Sequence, residues 1–440
     1  MRGIYYSLVV LVLYGDLLKR VMKPEKSLAI LYALAVLILI ASAIVNRRRV
    51  RVPVSKEGQL IYKLVLLLVL LYLTQTLTSL SNPLSEVIAH AFYICVPLLY
   101  IVVILRYCPQ FDLLRFAKIF LMLMVPVNCI GLIQYYINPT FFISTAYSGE
   151  LGGTIIRNLL GEGVFIRYPS LFVSADRYSA IGLMQVYFTI ILFKGQAPYS
   201  RLGQLWLAFN LAGGFAAMFI AGARSRILIT SIAFIFMAIT FILGGILSQK
   251  FQRARRRIKR MFPLLVGGVV IVAIALARMS EGQLQEEESF SVFTLFKQSF
   301  EEGDIGRRVK ETLILSLMPE EITMFGQGLG SIGGGKPGEI GIMSMWIESG
   351  YLWGTFMLLA FLGIVSALSL KVWKSFLALE SLNVLIYTIP TLLLILALLF
   401  GLTSVFELSS GLLVCCVIAV ISRSSANITG GGRLPLRIES

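Results

Sequence analysis

Long apolar segments with almost no internal charge recur along the whole chain, and they constrain its fold more than any other feature. A helix needs about 20 mostly apolar residues to cross a bilayer. Twelve segments of the 440-residue chain approach or reach that length, several of them short. They are residues 4–18, 27–45, 61–80, 87–105, 116–137, 179–193, 205–221, 227–247, 261–277, 347–370, 384–402 and 408–422. The sequence therefore predicts an all-α fold, a polytopic integral membrane helical bundle of about twelve transmembrane helices.

Composition excludes a water-soluble protein. Charged residues make up only 14% of the chain and hydrophobic residues 57%, whereas globular domains carry about 25% charged residues. Four of the five cysteines lie within apolar segments, and none shows the spacing of a zinc site or of a disulfide framework. We therefore expect neither a metal ion nor a cofactor.

The basic residues predict how the chain is oriented. The net charge of +16 suggests nucleic acid in a soluble protein, but in a membrane protein it reports loops kept in the cytoplasm. Asn46–Gly58 and Ser248–Arg260 are strongly basic and should stay cytoplasmic. Counting helices from these loops places both termini in the cytoplasm. The connection after residues 4–18 is also basic, but this count places it outside the cell. Whether residues 4–18 cross the membrane fully therefore stays open.

Two connections on the predicted outer side are long, and the second is large enough to cover the end of a helix bundle. The second is acidic and contains two segments with helical patterns, 290–300 and 307–318. The resulting division is N-terminal helices 1–137, first extracytoplasmic loop 138–178, central helices 179–277, second and larger extracytoplasmic loop 278–346, C-terminal helices 347–422 and cytoplasmic tail 423–440.

Arginines on the predicted outer side run against the usual distribution of charge. A guanidinium keeps its proton and offers a fork of donors that matches phosphate oxygens. Arg224 and Arg226 border apolar segments on both sides, so at least one lies near hydrocarbon depth. A charge there costs about 2.5–3.5 kcal/mol on insertion scales, which suggests a functional role. The alternative is that these arginines reach out to lipid phosphates. The arginines concerned are Arg157, Arg167, Arg177, Arg224, Arg226, Arg307 and Arg308.

Three further residue types are candidates for chemistry. Glu348, just inside the tenth segment, is either a general base or the partner of an arginine. The sole histidine, His90, is more typical of a hydrogen-bonded helix contact than of a catalytic group. Gly328 and Gly330 match a dinucleotide fingerprint by letters only, since no βαβ context surrounds them. We interpret them as a sharp turn whose N–H groups approach a head group or sugar, or else as a flexible loop.

Three short motifs now stand in order along the chain. Ser225-Arg226 opens a helix, FGQGLGSIGG ends the second long loop, and IESGYLWGTFMLL begins the next helix. Together with IRYPSLFVSADRYSAIGLM before the sixth segment, they resemble the O-antigen ligase and polymerase superfamily of bacterial membrane proteins over residues 130–420. The resemblance implies a metal-independent membrane glycosyltransferase of the inner membrane. Its donor would be a glycan on a polyprenyl diphosphate, used on the outer face.

The resemblance also implies roles for individual residues. By position, Arg226, Arg167, Arg177 and Arg307 or Arg308 match the arginines that would hold the diphosphate, and Arg226 would be catalytic by stabilising it as it departs. The residues themselves add Arg224, Gly328 and Gly330 as substrate-binding candidates and Glu348 as the candidate base, which the resemblance leaves unassigned. One departure matters, because the ligases carry a histidine near the end of the second loop and Ile340–Trp346 has none.

That departure favours a polymerase that builds O-antigen, capsule or exopolysaccharide from lipid-linked repeat units. Two alternatives stay open: a ligase that attaches finished glycan to a lipid or protein, and a transporter such as a flippase for the same lipid-linked sugars. Expected partners are the bilayer, the lipid-linked oligosaccharide, a flippase and a chain-length regulator, but no nucleic acid.

Overall fold

The protein is a bundle of apolar helices. The computed structural model describes residues 2–21, 24–45, 54–79, 82–108, 111–137, 155–157, 164–166, 170–172, 175–195, 200–221, 224–247, 324–329, 341–400 and 408–422. Within these residues the helices are α1 (Arg2–Val21), α2 (Pro24–Val45), α3 (Lys56–Thr78), α4 (Leu84–Tyr107), α5 (Leu113–Tyr136), α6 (Ala175–Gly195), α7 (Arg201–Ile220), α8 (Arg224–Leu247), α9 (Gly341–Leu377), α10 (Ser381–Phe400) and α11 (Leu408–Ile421).

Apolar helices, several of them long enough to span a membrane, are the main building block of the described residues. Six described helices are long and apolar enough to cross a bilayer, namely α3, α4, α5, α7, α9 and α10. The other five described helices contain shorter apolar stretches of 10–17 residues. Eleven of the twelve predicted segments coincide with described helices, and the segment 261–277 lies outside the described residues.

Polar side chains fix where several helices begin. Ser55 precedes α3, and its hydroxyl accepts a hydrogen bond from the N–H of Gly58. Asp112 before α5 and Ser200 before α7 act in the same way on the first N–H groups of their helices. These caps satisfy donors that an isolated helix leaves open, and they mark the points where the chain turns back into the bundle.

Successive helices run between two ends of the bundle. At one end, the Ser55 hydroxyl donates to the Ser422 carbonyl over 3.0 Å, and the Lys371 ammonium donates to the Ile421 carbonyl over 2.8 Å. Lys374 pairs with Glu57 at the same place. We call this the Ser55 end, and the opposite end, where α3 finishes and α4 and α9 begin, the Glu348 end.

Helix α4 occupies the centre of the bundle. It packs against α2, α3 and α11. In its most apolar stretch 78% of the residues are buried, compared with 39% in the corresponding stretch of α3. Between Ala91 and Leu105 the sequence of α4 is apolar on every face, which is what a helix surrounded by other helices requires.

Helices α6 and α7 approach each other closely because both carry glycine at their contact. A Cβ atom on Gly182 would lie 2.8 Å from the carbonyl oxygen of Gly214, so a larger residue would force the two helices apart. Beside this contact, amide side chains join three helices: Asn128 of α5 donates to Gln185 of α6, and Gln185 donates to Asn210 of α7.

The first long loop contributes a small departure from an all-helical fold. Two short strands, β1 (Ile155–Arg157) and β2 (Val164–Ile166), pair antiparallel with Ile156 opposite Phe165. Further along the loop, the N–H and carbonyl of Ser170 both bond the Gln134 side chain near the end of α5, at 2.8 and 3.0 Å. The loop therefore returns to the bundle just before α6.

Candidate functional site

A glycine turn docks on the start of α9 at the Glu348 end. The N–H of Gln327 donates to the carbonyl of Ile347 at 2.8 Å, and that of Gly328 to the carbonyl of Glu348 at 2.9 Å. In return, the N–H of Leu352 donates to the carbonyl of Met324 at 3.2 Å. These hydrogen bonds join two motifs that the sequence separates, and we call residues 324–329 the glycine turn.

This docking depends on glycine on both sides. Gly350 interrupts α9 with φ 74° and ψ 174°, a region of backbone space that is essentially reserved for glycine. A Cβ atom on Gly350 would collide with the backbone of Gly326, and one on Gly326 would collide with the backbone of Glu348. The helix is kinked here, and the kink exposes the carbonyls of Ile347 and Glu348 to the glycine turn.

The end of α3 holds the glycine turn and α9 together. The amide nitrogen of Gln75 donates to the carbonyl of Glu348 over 2.8 Å, and its amide oxygen accepts from the hydroxyl of Ser349 over 2.7 Å. Ser79 accepts from the N–H of Leu329 over 2.9 Å. Gln75 is 1% exposed. Glu348 is thus fixed through its own carbonyl and through its neighbour.

The Glu348 carboxylate faces the only histidine of the chain. Nε2 of His90, on α4, lies 3.3 Å from Oε2 of Glu348, and the two side chains are 1% and 3% exposed. Buried ionisable groups persist only when they are paired or hydrogen-bonded. An imidazole can take up and release a proton while a carboxylate orients it, so such a pair is suited to moving a proton.

The indole N–H of Trp346, two residues before Glu348, is also buried, and the described residues offer it no acceptor. Its ring forms a tilted pair with Tyr351, with centroids 6.3 Å apart. Tyr351 is one of the exposed large side chains. Trp and Tyr combine an apolar ring with a polar tip, so this pair offers a stacking surface and a donor close to Glu348 in the sequence.

Arg226 is buried, unlike most charged side chains, and it is one of the arginines predicted for the outer side. It lies in the first turn of α8 and is 8% exposed, and its carbonyl accepts from the Thr230 hydroxyl. Helices α8 and α9 both pack on α10, and both begin at the Glu348 end. The structure therefore keeps a buried cation at the same end of the bundle as the His90–Glu348 pair.

Arg177 has a partner that sequence reasoning missed. Its guanidinium bonds the carboxylate of Asp16, on α1, at 2.6 Å, with both side chains largely buried. Its charge is therefore already balanced within the protein. Nothing in the sequence links these residues, which are 161 positions apart. A diphosphate-binding role for Arg177 stays a prediction, and it would have to share this guanidinium with Asp16.

The other predicted site residues are described only in part. The N–H of Gly328 donates inside the protein, so contact with a ligand would require the glycine turn to rearrange. Arg224 begins α8, and Arg157 ends β1. Those that lie outside the described residues are Arg167, Arg307, Arg308 and Gly330.

Sequence reasoning named Glu348 but did not find what surrounds it. His90 was recognised as the sole histidine, and its pairing with Glu348 was not predicted. Gln75 gave no signal, because one polar residue near the end of an apolar segment is common. A comparison with protein-family models found no match for the chain, and a search of curated proteins found none either.

Proposed function

We propose that this protein is a polysaccharide polymerase of the bacterial inner membrane, acting without a metal ion. It would transfer a glycan from a polyprenyl diphosphate to a lipid-linked repeat unit on the outer face, in concert with a flippase and a chain-length regulator. The observation that carries the proposal is the buried His90–Glu348 pair, clamped at one end of a membrane bundle by the motifs that resemble this superfamily.

Glycan transfer from a diphosphate makes two chemical demands. The acceptor hydroxyl must lose a proton as it attacks, and the departing diphosphate must be stabilised as an anion. The His90–Glu348 pair answers the first demand. Arg226 answers the second, because a fixed guanidinium in a poorly hydrated place binds an anion strongly. Both lie at the Glu348 end.

The lipid part of the donor needs access from the bilayer. Leu77, at the end of α3, and Leu84, at the start of α4, are 72% and 59% exposed. Exposed apolar side chains at the ends of spanning helices suit contact with lipid rather than water. A polyprenyl chain in the bilayer would therefore reach the bundle beside the segment that holds Gln75 and the glycine turn.

The proposal is tested by incubating purified protein in detergent with lipid-linked repeat units and resolving the products by size. We expect a ladder of polymers from the native protein. Glu348→Gln should reduce the rate about 100-fold or more, because it disrupts the His90–Glu348 pair and a positioned acid–base group contributes about 10²–10⁴-fold. The matched control is Glu380→Gln, an exposed carboxylate at the Ser55 end. A native protein that makes no polymer would refute the proposal.

A transporter is a second candidate, because histidine and carboxylate groups inside a membrane also serve as proton relays. The detergent assay separates the two functions. A transporter moves its substrate across a membrane without changing it, so in detergent it would form no new glycosidic bond, whereas a polymerase would. A ligase would be revealed in the same assay by the transfer of finished polymer to an acceptor lipid without any change in polymer length.

A further inference from the structure

We propose that His90 is the group that takes the proton from the acceptor hydroxyl, through Nδ1, while Glu348 holds Nε2–H. This inference rests on the proposed function and gives the two members of the pair different roles. The sequence suggested Glu348 as the base, whereas the geometry makes Glu348 the positioning residue and His90 the catalytic one.

The first step concerns which nitrogen carries the proton. A neutral imidazole has one N–H donor and one acceptor nitrogen, and an ionised carboxylate accepts only. Since Nε2 lies 3.3 Å from Oε2 of Glu348, the hydrogen belongs on Nε2. The lone pair is then on Nδ1, which is the arrangement required of a base.

The second step concerns Nδ1 itself. This atom is buried, and no described residue forms a hydrogen bond with it. A structural histidine satisfies both of its nitrogens, since leaving a buried polar atom without a partner costs about 1–3 kcal/mol. A ligand hydroxyl is the natural donor for a nitrogen in this state. The nitrogen without a hydrogen-bond partner among the described residues is therefore the one that faces away from Glu348.

The third step is the reaction, in which every bond is accounted for. The acceptor hydroxyl donates to Nδ1, and its oxygen attacks the anomeric carbon of the donor glycan. The new carbon–oxygen bond forms as the bond to the diphosphate breaks, and the polyprenyl diphosphate leaves as an anion. The proton stays on Nδ1, and the resulting imidazolium is stabilised by the Glu348 carboxylate. Release of that proton to solvent resets the pair.

Gln75 keeps Glu348 in place for this role. Its amide nitrogen donates to the Glu348 carbonyl over 2.8 Å, and its amide oxygen accepts from the Ser349 hydroxyl over 2.7 Å. Neither contact uses the carboxylate, whose Oε2 lies 3.3 Å from Nε2 of His90. Gln75 therefore supports the pair indirectly, by fixing the backbone that carries Glu348.

His90→Gln separates a catalytic role from a structural one. The Gln amide nitrogen can replace Nε2 as the donor to Glu348, but the side chain has no basic nitrogen. We expect the purified variant to elute and melt like the native protein and to polymerise about 100-fold more slowly or worse. If His90→Gln keeps activity within about threefold of native while Glu348→Gln loses it, the base is Glu348 and the inference is overturned.

The single histidine also permits a measurement that needs no substrate. Protein labelled with ¹⁵N-histidine in lipid nanodiscs gives imidazole signals from His90 alone. We expect a protonated Nε2 and an unprotonated Nδ1, and a shift toward the other tautomer in Glu348→Gln. A native Nδ1–H tautomer would overturn the inference even if polymer forms. If the native protein forms no polymer, the proposed function fails, and the inference fails with it.

Discussion

At the scale of single residues, burial of Arg226 is the feature most open to test. A guanidinium presents a planar fork of donors, whereas an ammonium is a compact point charge. If Arg226 stabilises the departing diphosphate, Arg226→Lys keeps the charge but loses the paired hydrogen bonds. We expect the polymerisation rate to fall about 100-fold, the loss typical when one donor to a developing anion is removed.

The control for this variant is Arg201→Lys. Arg201 is exposed at the start of α7, at the Ser55 end, and its replacement should leave the rate unchanged. Expression and elution of both variants are followed by size-exclusion chromatography. Near-native polymer from Arg226→Lys would reassign Arg226 to contact with lipid phosphates.

Residues differ in how far the sequence predicts their roles. Glu348 and Arg226 were found from sequence because a charge inside an apolar segment is rare and expensive. Their partners were not, since the pairs His90–Glu348 and Asp16–Arg177 join distant parts of the chain. Pairing across helices depends on how the helices are rotated and packed, and a local sequence pattern does not predict that rotation or packing.

At the scale of elements, the kink at Gly350 controls the placement of Glu348. Gly350→Ala puts a Cβ atom into backbone that only glycine tolerates and against the glycine turn. We expect strain of about 1–3 kcal/mol, seen as a lower melting temperature in detergent, together with reduced polymerisation because the glycine turn is displaced.

Gly3→Ala is the matched control, because a Cβ atom on Gly3 meets nothing within 4 Å. This substitution inside α1 should be neutral or slightly stabilising, since alanine favours helix. Equal melting temperatures for the two variants would show that the kink carries no strain.

The elements themselves were largely predictable. Apolar length located eleven of the helices, because a bilayer imposes one length on every crossing. The extension of α9 to Gly341, before its predicted start, was not foreseen. Its first residues follow a glycine-rich stretch and precede the predicted apolar segment, so apolar length alone does not mark them as helix.

At the scale of the whole molecule, the two ends of the bundle should face opposite sides of the membrane. Basic residues concentrate in 46–58 and 248–260, which favours a cytoplasmic Ser55 end. Ser85→Cys at the Glu348 end should then react with an impermeant maleimide in intact cells. Ser200→Cys, exposed at the Ser55 end, should react only after permeabilisation.

This labelling requires a background in which Cys129, the exposed native cysteine among the described residues, is replaced by serine. Labelling of Ser200→Cys in intact cells would reverse the proposed orientation. It would also move the His90–Glu348 pair to the cytoplasmic side, where the proposed donor is not used.

The arrangement of helices was the least predictable level. Helices such as α4 and α11 are apolar on all sides, so their sequences do not show which face meets which neighbour. The sequence predicted a bundle with long loops on one side, but not that α4 lies at its centre. That position follows from the summed packing of many weakly directional contacts.

The contact between α4 and α11 has a consequence for the synthesis of the protein. The α4 helix ends at Tyr107 and α11 begins at Leu408, about 300 residues later. At translation rates of about 5–20 residues per second, about 15–60 s pass between the emergence of the two helices. During that interval α4 lacks one of its permanent neighbours. Lipid or another helix covers that apolar face until α11 arrives, so the central packing of the bundle is completed only late in synthesis.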